Sequence, residues 1–411
     1  MIRILHTADL HLDSPLKSLA LRDEDMRDRV QTATRTALVR IVDAALSENV
    51  SALLIAGDLF DGAARSAKTA AFLIQQLDRL GDAAIPVFYI KGNHDAENPI
   101  TGEIDLPAHV HVFDGRGGKV QIADTNVWIH GVSFSGRHAP DSLLGKFGAP
   151  VPDAVNIGML HTSLAGAAGH DTYAPCSVAD LAKTGFDYWA LGHIHTRRIY
   201  STAPYIVMPG IPQGRDINEA GAQSATMLTI DAGAITIAEV PTSAVTFARH
   251  SIDVTGIETD TDLRKHLRQA VHDLAQGVTD DAGIVRLALT GQAARHWHIL
   301  RDQALWDETI HTLARDTGRI WIDKISYDLQ APASDAAHTA TDELARIMAA
   351  IQSETGFTTT MQDEVDAILS DLPGNIRATL LPDPAALNTL SQQITHQGAT
   401  QMLARMKGAS D

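Results

Sequence analysis

Short apolar runs alternate with amphipathic helical stretches over the first 200 residues, and this alternation limits the folds that the chain can adopt. Five of the runs have the length and composition of strands that are buried on both faces. They are residues 2–5, 53–56, 87–90, 157–160 and 188–191. Apolar side chains at helical spacing separate the first run from the second and the second from the third. This order of strands and helices predicts an α/β layer fold in the first half of the chain.

The overall composition is that of a folded protein of two or three domains. The chain has 411 residues, of which 45% are hydrophobic and 20% are charged, unlike the highly charged composition of disordered proteins. The single cysteine, Cys176, excludes an intrachain disulfide and a cysteine-cluster metal site. No apolar run has the ~18 residues of a membrane span. We therefore expect a cytoplasmic protein without a membrane anchor.

Composition and periodicity divide the chain into four segments. A predicted hairpin near residues 226–240 closes a first domain, residues 1–244. The next segments are a small α/β domain at residues 245–330, a linker at 331–341 that is rich in Ala, Ser, Thr and Pro, and a helical region at 342–411. The helical region has apolar stripes that it cannot bury well by itself, so we expect it to dock on a partner protein. Packing against the chain's own core is the alternative.

Polar side chains follow each of the five predicted strands. They are Asp9 and His11, then Asp58, then Asn93 to Asp95, then His161, and finally His193 and His195. The carboxyl edge of the strands is where α/β sheets bind their ligands. Carboxylates, imidazoles and an amide oxygen are the groups that two divalent metals need. Each cluster alone is more typical of a turn or a surface histidine, but the five together predict a metal site.

In chain order these clusters form the motifs Asp-x-His, Gly-Asp, Gly-Asn-His, a lone His and Gly-His-x-His. With this set, roughly the first 240 residues resemble the calcineurin-like metallophosphoesterases. The resemblance implies an α/β fold with a β-sandwich flanked by helices, followed by a small α/β capping domain and C-terminal helices. It also implies the metal ligands: Asp9, His11 and His195 for one ion, Asn93, His161 and His193 for the other, and Asp58 as the bridge between them.

The same resemblance implies a mechanism of phosphoester hydrolysis. Two ions ~4 Å apart supply a nucleophilic water and neutralise charge on the phosphate. His94 would donate a proton to the leaving oxygen, and Asp95 would orient His94. Manganese is the expected metal, with iron, zinc and magnesium as alternatives, because mixed carboxylate and imidazole ligands suit several divalent ions. Asp61 occupies a position where many relatives have histidine, so its role is left open.

Local similarity narrows the expected substrate. Residues 6–13, 57–61, 169–181 and 188–195 resemble the SbcD and YhaO branch of DNA repair exonucleases. That branch implies a metal-dependent DNA exonuclease of 3′ to 5′ polarity, which can also cut single strands internally. It further implies DNA and a Rad/SMC-type coiled-coil ATPase as partners, with the C-terminal helices docking on the ATPase, and pairing of the chain as a homodimer.

The charge balance bears directly on the DNA hypothesis. The net charge of −17 opposes binding of DNA by this chain alone, because phosphate contacts depend on clustered Lys and Arg. An ATPase partner that supplies most of the DNA-binding surface would remove this objection. Arg215 and Arg137 are the candidate contacts to the substrate backbone. The alternative for each is a solvated loop charge.

Two other functions remain open at this point. The first is a phosphatase or phosphodiesterase for small phosphoesters, which the additional domains disfavour because a small substrate needs neither a cap nor docking helices. The second is a non-catalytic scaffold, which the complete set of seven ligands disfavours.

Overall fold

The predicted strands are divided between two six-stranded sheets. The computed structural model describes residues 1–14, 24–61, 66–97, 105–136, 138–164, 173–332 and 340–408. The first sheet has four parallel strands, and a hairpin continues it on one side, with the nearer strand of the hairpin antiparallel to them. In spatial order its strands are β12 (Ala234–Pro241), β11 (Ser224–Asp231), β1 (Ile2–Thr7), β2 (Ala52–Ala56), β3 (Val87–Ile90) and β4 (Val110–Val112).

The second sheet has four parallel strands between two antiparallel edge strands. In spatial order they are β5 (Gly118–Gln121), β6 (Val127–Val132), β7 (Val155–His161), β8 (Tyr188–Gly192), β10 (Tyr205–Met208) and β9 (Arg198–Thr202). Three of the five predicted strands therefore lie in the first sheet, and the other two are β7 and β8 of the second sheet. The predicted α/β fold with two sheets and flanking helices is confirmed.

Helices cover the outer face of the first sheet. They are α1 (Glu24–Ser47) after β1 and α2 (Ala67–Asp82) after β2, and the short helices α3 (Asn93–Glu97) and α4 (Val178–Ala182) follow later in the chain. Successive residues of a strand point to opposite faces, so Leu53 packs toward the helices and Leu54 packs between the two sheets. Because both faces of β2 and β3 are buried, these two strands are apolar along their whole length.

Residues 245–330, which follow the hairpin, contain a third sheet and three helices. The sheet has three strands in the order β13 (Val245–Asp253), β14 (Ala282–Gln292) and β15 (Ile320–Gln330). The helices are α5 (Asp260–Gly277), α6 (His296–Arg301) and α7 (Gln303–Asp316). The chain divides into two compact units. One consists of Met1–Arg249, Gln276–Val285 and Arg319–Asp323, and the other of His250–Ala275, Arg286–Gly318 and Lys324–Asp411.

Four helices form the C-terminal region. They are α8 (Ala340–Gln352), α9 (Thr355–Ser370), α10 (Gly374–Leu380) and α11 (Pro384–Lys407). Within the second unit, the end of α11 packs on α6: Lys407 Nζ lies 4.8 Å from the centre of the Trp297 ring, and Arg301 donates a hydrogen bond to the carbonyl of Gly408. Most of the predicted linker, residues 333–339, lies outside the described residues. In the described part of the chain, no helix is long and apolar enough to cross a membrane.

Candidate metal centre

The loops after β1 and β2 have a left-handed backbone at the residues that carry side chains for the site. Asp9, His11 and Asp13 have φ angles of 53°, 40° and 60°, and Asp58 has a φ of 51°. Such residues cost on the order of 1 to 3 kcal/mol each and persist where the surrounding structure holds them. The N–H of Asp9 donates to the carbonyl of Gly57 at 2.9 Å, and that of His11 to the carbonyl of Asp58 at 3.0 Å. These bonds join the two loops and hold their side chains together.

Glycines allow two of the side chains to lie directly against the backbone. A Cβ at Gly92 would lie 2.2 Å from Oδ1 of Asp58, and a Cβ at Gly57 would lie 2.3 Å from Nδ1 of His161. Gly57 also has a φ of +97°, which other residues rarely adopt. The Gly-Asp and Gly-Asn-His motifs therefore need their glycines for close packing around Asp58 and His161.

The first ligand group consists of Asp9, His11 and His195. One ligand atom from each lies within 4.8 Å of the others. The Nε2 atoms of His11 and His195 are 3.2 Å apart. The backbone N–H of His193 donates to both carboxylate oxygens of Asp9, at 3.1 Å and 3.0 Å, and so fixes the orientation of that carboxylate. This group contains the three residues that were predicted for one metal.

The second ligand group consists of Asp58, His161 and His193, again with ligand atoms within 4.8 Å of one another. Nε2 of His161 lies 3.1 Å from Oδ1 of Asn93, and Nδ1 of His161 lies 2.9 Å from the carbonyl of Ala56. Because a carbonyl only accepts, Nδ1 carries the proton in the neutral ring, and Nε2 presents a lone pair to the site. The residues predicted for the second metal are thus brought together.

Asp58 belongs to the second group and also approaches His11 of the first. Its Oδ2 is 3.4 Å from Nε2 of His161 and 3.9 Å from Nε2 of His11. Burial disfavours a charge on His161, but the Asp58 carboxylate outweighs this effect and raises the pKa of His161 to about 9. Asp58 thus lies within 4 Å of a histidine from each group, and its bridging role stays a prediction.

These residues fit a pair of divalent cations. Asp9, His11, Asp58 and His161 are at most 2% exposed, and buried carboxylates without compensating charge are strongly unfavourable. Two imidazole nitrogens that face each other at 3.2 Å also need a cation or a proton between them. Two divalent ions would satisfy both requirements, and the set of imidazole, carboxylate and amide donors is one that such ions accept.

His94 and Asp95 follow the ligand Asn93 in α3. His94 is 36% exposed, and one of its ring nitrogens lies within 4.8 Å of ligand atoms of His11 and Asp58. Asp95 is fully buried, and its two oxygens accept the backbone N–H groups of Phe60 and Gly92, each at 3.0 Å. Burial raises the pKa of the Asp95 carboxyl to about 6. Asp95 therefore ties the loop after β2 to the start of α3.

Asp61 contacts the site from the loop after β2. Its Oδ1 lies 3.8 Å from Nδ1 of His94, 3.4 Å from Nδ1 of His11 and 3.9 Å from the guanidinium of Arg215. The contact with His11 and the charge of Arg215 hold the pKa of the Asp61 carboxyl well below its ordinary value. Asp61 is therefore a charged neighbour of both a ligand and His94, a placement that the sequence left open.

Arg215 and Glu219 complete the rim of the site. Oε1 of Glu219 lies 2.6 Å from Nδ1 of His195 and 3.0 Å from the guanidinium of Arg215. Burial opposes ionisation of Glu219, but the hydrogen bonds from His195 and Arg215 outweigh it and lower the pKa to about 2. The sequence did not identify Glu219 as a site residue. The only indication of it is that an acidic residue stands four positions after Arg215. The guanidinium of Arg215, predicted as a substrate contact, pairs with Glu219 in this structure.

Of two further residues that the sequence singled out, only Cys176 belongs to the described part of the chain. Arg137, the second predicted substrate contact, is outside the described residues. Cys176 is buried, with its sulfur 3.6 Å from the hydroxyl of Thr162, and burial raises the pKa of the thiol to about 11.

Two known protein families match the chain. Residues 2–197 match the calcineurin-like phosphoesterases, and residues 247–330 match the middle domain of the metallophosphoesterase YhaO. The first match includes all seven predicted metal ligands together with His94, Asp95 and Asp61. Arg215 and Glu219 lie outside both matched ranges.

Sequence similarity to individual proteins is consistent with these two family matches. The chain is 33% identical to the metallophosphoesterase YhaO of Bacillus subtilis (strain 168) over 322 residues, which are 76% of this chain and 77% of YhaO. It is 29% identical over 207 residues to the DNA double-strand break repair protein Mre11 of Sulfurisphaera tokodaii, and the match spans 48% of this chain and half of that protein.

Among solved structures, a dimetal phosphatase from Danio rerio is similar at 11% identity with a TM-score of 0.38, covering 59% of this chain and 99% of that one. The similarity to YhaO extends over about three quarters of both proteins, and the ligand groups lie inside the phosphoesterase match. The chain therefore belongs to the calcineurin-like metallophosphoesterases, within the YhaO family, and is a hydrolase that acts on ester bonds.

Proposed function

We propose that this protein is a metal-dependent DNA nuclease that removes nucleotides from 3′ ends and can also cut single strands internally. One observation carries the hydrolytic part of the proposal. Asp58 lies close to ligand atoms of both groups, and the partly exposed His94 lies near it. The similarity of about half of the chain to Mre11, a DNA double-strand break repair protein, supports DNA as the substrate.

The proposed reaction depends on two metal ions and on the residues that would hold them. Two bound divalent ions supply Lewis acidity and an activated water for attack on a phosphodiester. Asp9, His11 and His195 would hold one ion, and Asn93, His161 and His193 the other. Asp58 would contact both and offset part of their charge. We propose manganese as the metal, with iron, zinc and magnesium as alternatives, because the donor set suits each of them.

His94 would donate the proton that the leaving oxygen needs. Its side chain is 36% exposed, and its Nδ1 lies 3.8 Å from Oδ1 of Asp61. A carboxylate on that side can orient the ring, which is what a general acid requires. Both oxygens of Asp95 accept backbone N–H groups, so we assign the orienting role to Asp61 rather than to Asp95.

The remaining segments suit a role in a larger assembly. We propose that residues 245–330 form a small capping domain, and that residues 342–411 dock on a Rad/SMC-type coiled-coil ATPase. Large apolar side chains are exposed on the C-terminal helices, among them Ile368 at 68% and Met402 at 54%. An ATPase that contributes the basic surface would also compensate for the net charge of −17. A cytoplasmic location would agree with the free thiol of Cys176.

A DNA cleavage assay tests the proposal. The purified protein is incubated with manganese and 3′-labelled duplex or single-stranded DNA, with and without its ATPase partner, and bis-nitrophenyl phosphate serves as a small substrate. We expect release of the 3′ label by the wild-type protein and none by Asp58→Ala. Hydrolysis of the small substrate without cleavage of any DNA would contradict the nuclease proposal and indicate a phosphodiesterase for small molecules.

A further inference from the structure

Glu219 contacts a metal ligand without belonging to either ligand group. Its Oε1 lies 2.6 Å from Nδ1 of His195, and the side chain of Glu219 is 14% exposed. His195 is 26% exposed and lies on the rim of the site, in the loop after β8. A ring at the rim has more freedom to turn than a fully enclosed one, so its orientation depends on the partner that holds its second nitrogen.

The hydrogen bond between these residues determines which nitrogen of His195 carries the proton. An ionised carboxylate only accepts hydrogen bonds, so its contact at 2.6 Å requires a proton on Nδ1. The Arg215 guanidinium nitrogen, which lies 3.1 Å from the same Nδ1, then donates to Oε1 of Glu219 and not to the ring. In the neutral ring Nε2 is then unprotonated, and Nε2 is the atom that faces Nε2 of His11 at 3.2 Å. His161 shows the same arrangement, but there the backbone carbonyl of Ala56 is the acceptor, at 2.9 Å.

The Glu219 carboxylate is itself held on both oxygens. Oε1 also accepts from the Arg215 guanidinium at 3.0 Å, and Oε2 accepts from the backbone N–H of Arg215 at 2.7 Å. Glu219 ends a short 3-10 turn, Ile217–Glu219, whose start is capped by the side chain of Asp216. The side chain of Gln223 donates to the Glu219 carbonyl at 2.9 Å. With its backbone and both oxygens fixed, Glu219 can hold the imidazole in one orientation.

We propose that Glu219 is a positioning residue of the metal centre, which keeps His195 protonated on Nδ1 and directs its Nε2 toward the ion held by Asp9 and His11. Arg215 acts as the counter-charge that fixes Glu219. Carboxylates in this relation to a ligating histidine typically contribute a factor of about 10 to 100 in metal affinity. The inference rests on the proposed two-metal site, but it does not depend on which phosphoester the protein cleaves.

Metal binding of the full-length protein tests this role. Glu219→Gln keeps the size of the side chain and removes its charge, while Glu219→Ala removes the hydrogen bond. Glu48→Gln is the matched control, because it removes a carboxylate from a half-exposed ion pair with Arg3. Manganese titration of the wild type and Glu48→Gln should show two ions per chain. In both Glu219 variants we expect one of the two sites to weaken by about 10-fold to 100-fold while the other is unchanged.

A spectroscopic measurement separates positioning from a general effect on folding. In zinc-loaded protein labelled with ¹⁵N-histidine, His195 of the wild type should show the tautomer protonated on Nδ1, and thermal unfolding of the metal-free Glu219→Gln variant should match that of Glu48→Gln. Two unweakened sites in both Glu219 variants, or a wild-type His195 protonated on Nε2, would overturn the inference alone. A wild-type protein that binds no metal would overturn the proposed function together with it.

Discussion

Oδ1 of Asp61 lies 3.8 Å from Nδ1 of His94, so a carboxylate faces the ring that we propose as the proton donor. Asp61 follows the bridging Asp58 by three residues, and the loop after β2 therefore carries both a metal ligand and the partner of His94. In the proposed mechanism, the same loop would therefore serve both metal binding and proton transfer.

The first prediction concerns this pair. His94→Ala should retain both metal ions and lower kcat by about 10² to 10⁴, the usual contribution of a general acid. Asp61→Asn should lower kcat in the same direction with both ions retained, since the ring remains but loses its charged partner. Rates on DNA and on bis-nitrophenyl phosphate, measured beside metal content, check both. Wild-type rates for His94→Ala would show that another group supplies the proton.

Asp95 should behave differently from Asp61. Asp95→Asn replaces one of two buried oxygens that accept backbone N–H groups, so we expect a loss of about 1 to 3 kcal/mol in the free energy of unfolding. At a temperature where the variant is folded, its kcat should stay closer to the wild type than that of Asp61→Asn. Urea unfolding and steady-state kinetics measure the two effects. A kcat for Asp95→Asn below that of Asp61→Asn would restore Asp95 as the orienting residue.

The buried His6 should make the protein sensitive to acid. Its nitrogens lie 3.0 Å from the Tyr188 hydroxyl and 3.1 Å from the Leu191 carbonyl, and burial lowers the pKa of His6 from 6.5 to about 3. Between these values the unfolded chain binds a proton that the folded chain does not. The neutral His6 therefore contributes fully to the free energy of unfolding above pH 6.5. This contribution is lost as the pH falls from 6.5 to about 3.

The variant His6→Gln isolates that effect, because it has no titrating group at this position. The difference in unfolding free energy between the wild type and the variant should shrink by about 2 kcal/mol from pH 7 to pH 5. Urea titrations of both proteins at several pH values measure it. A difference that is independent of pH would show that His6 keeps an ordinary pKa in the folded state.

Cys176 should be unreactive in the folded protein. Burial raises the pKa of its thiol to about 11, so at pH 8 only about a thousandth of it is thiolate, which is the nucleophilic form. Alkylation by iodoacetamide at pH 8 should be at least about 100-fold slower in the native protein than in urea. Above pH ~9 the unfolded chain loses this proton first, so stability falls as the pH rises. Equal native and unfolded rates would contradict the buried placement.

The C-terminal helices can be tested without removing them. Ile368→Glu changes a side chain that is 68% exposed on α9, so folding and manganese binding should match the wild type. Association with the ATPase should weaken by about 10-fold or more if this face docks on it. Deletion of residues 335–411 should also abolish association and leave metal binding intact, but it uncovers Trp297 and should lower the melting temperature. ATPase binding that survives both changes would place the docking surface elsewhere.

The strands that carry the ligands were predictable because both of their faces are buried. Residues 87–90 were predicted as a strand, and β3 has these same bounds. The short strands β4, β5 and β9 gave no such signal, since they are largely half-buried or exposed. The sequence also did not predict that the strands divide into two sheets. That division is decided by pairing between segments far apart in the chain, such as β1 with β11.

The candidate metal centre was likewise only partly predictable from the sequence. Its ligands stand in short motifs at strand ends, and the structure brings all of them together. Glu219 acts on His195 from 24 residues further along the chain, through a contact that exists only after folding. Asp61 is near in sequence to the ligand Asp58, but its meeting with His94 depends on the packing of the loops after β2 and β3.

The position of Asp58 close to both ligand groups makes a sharp prediction about metal content. Asp58→Ala should lose both ions, because each group loses a carboxylate that offsets its positive charge. Metal analysis of protein reconstituted with manganese and then desalted measures this loss, with His94→Ala as the control that keeps both ions. Full occupancy in Asp58→Ala would contradict the bridging role.

Anomalous diffraction at the manganese edge, from crystals of the wild-type protein grown with manganese, tests the central claim most directly. The account predicts two peaks, one beside Asp9, His11 and His195 and the other beside Asn93, His161 and His193, with Asp58 in contact with both. A map without peaks in this pocket, or with a single ion that no second soak can supplement, would contradict it.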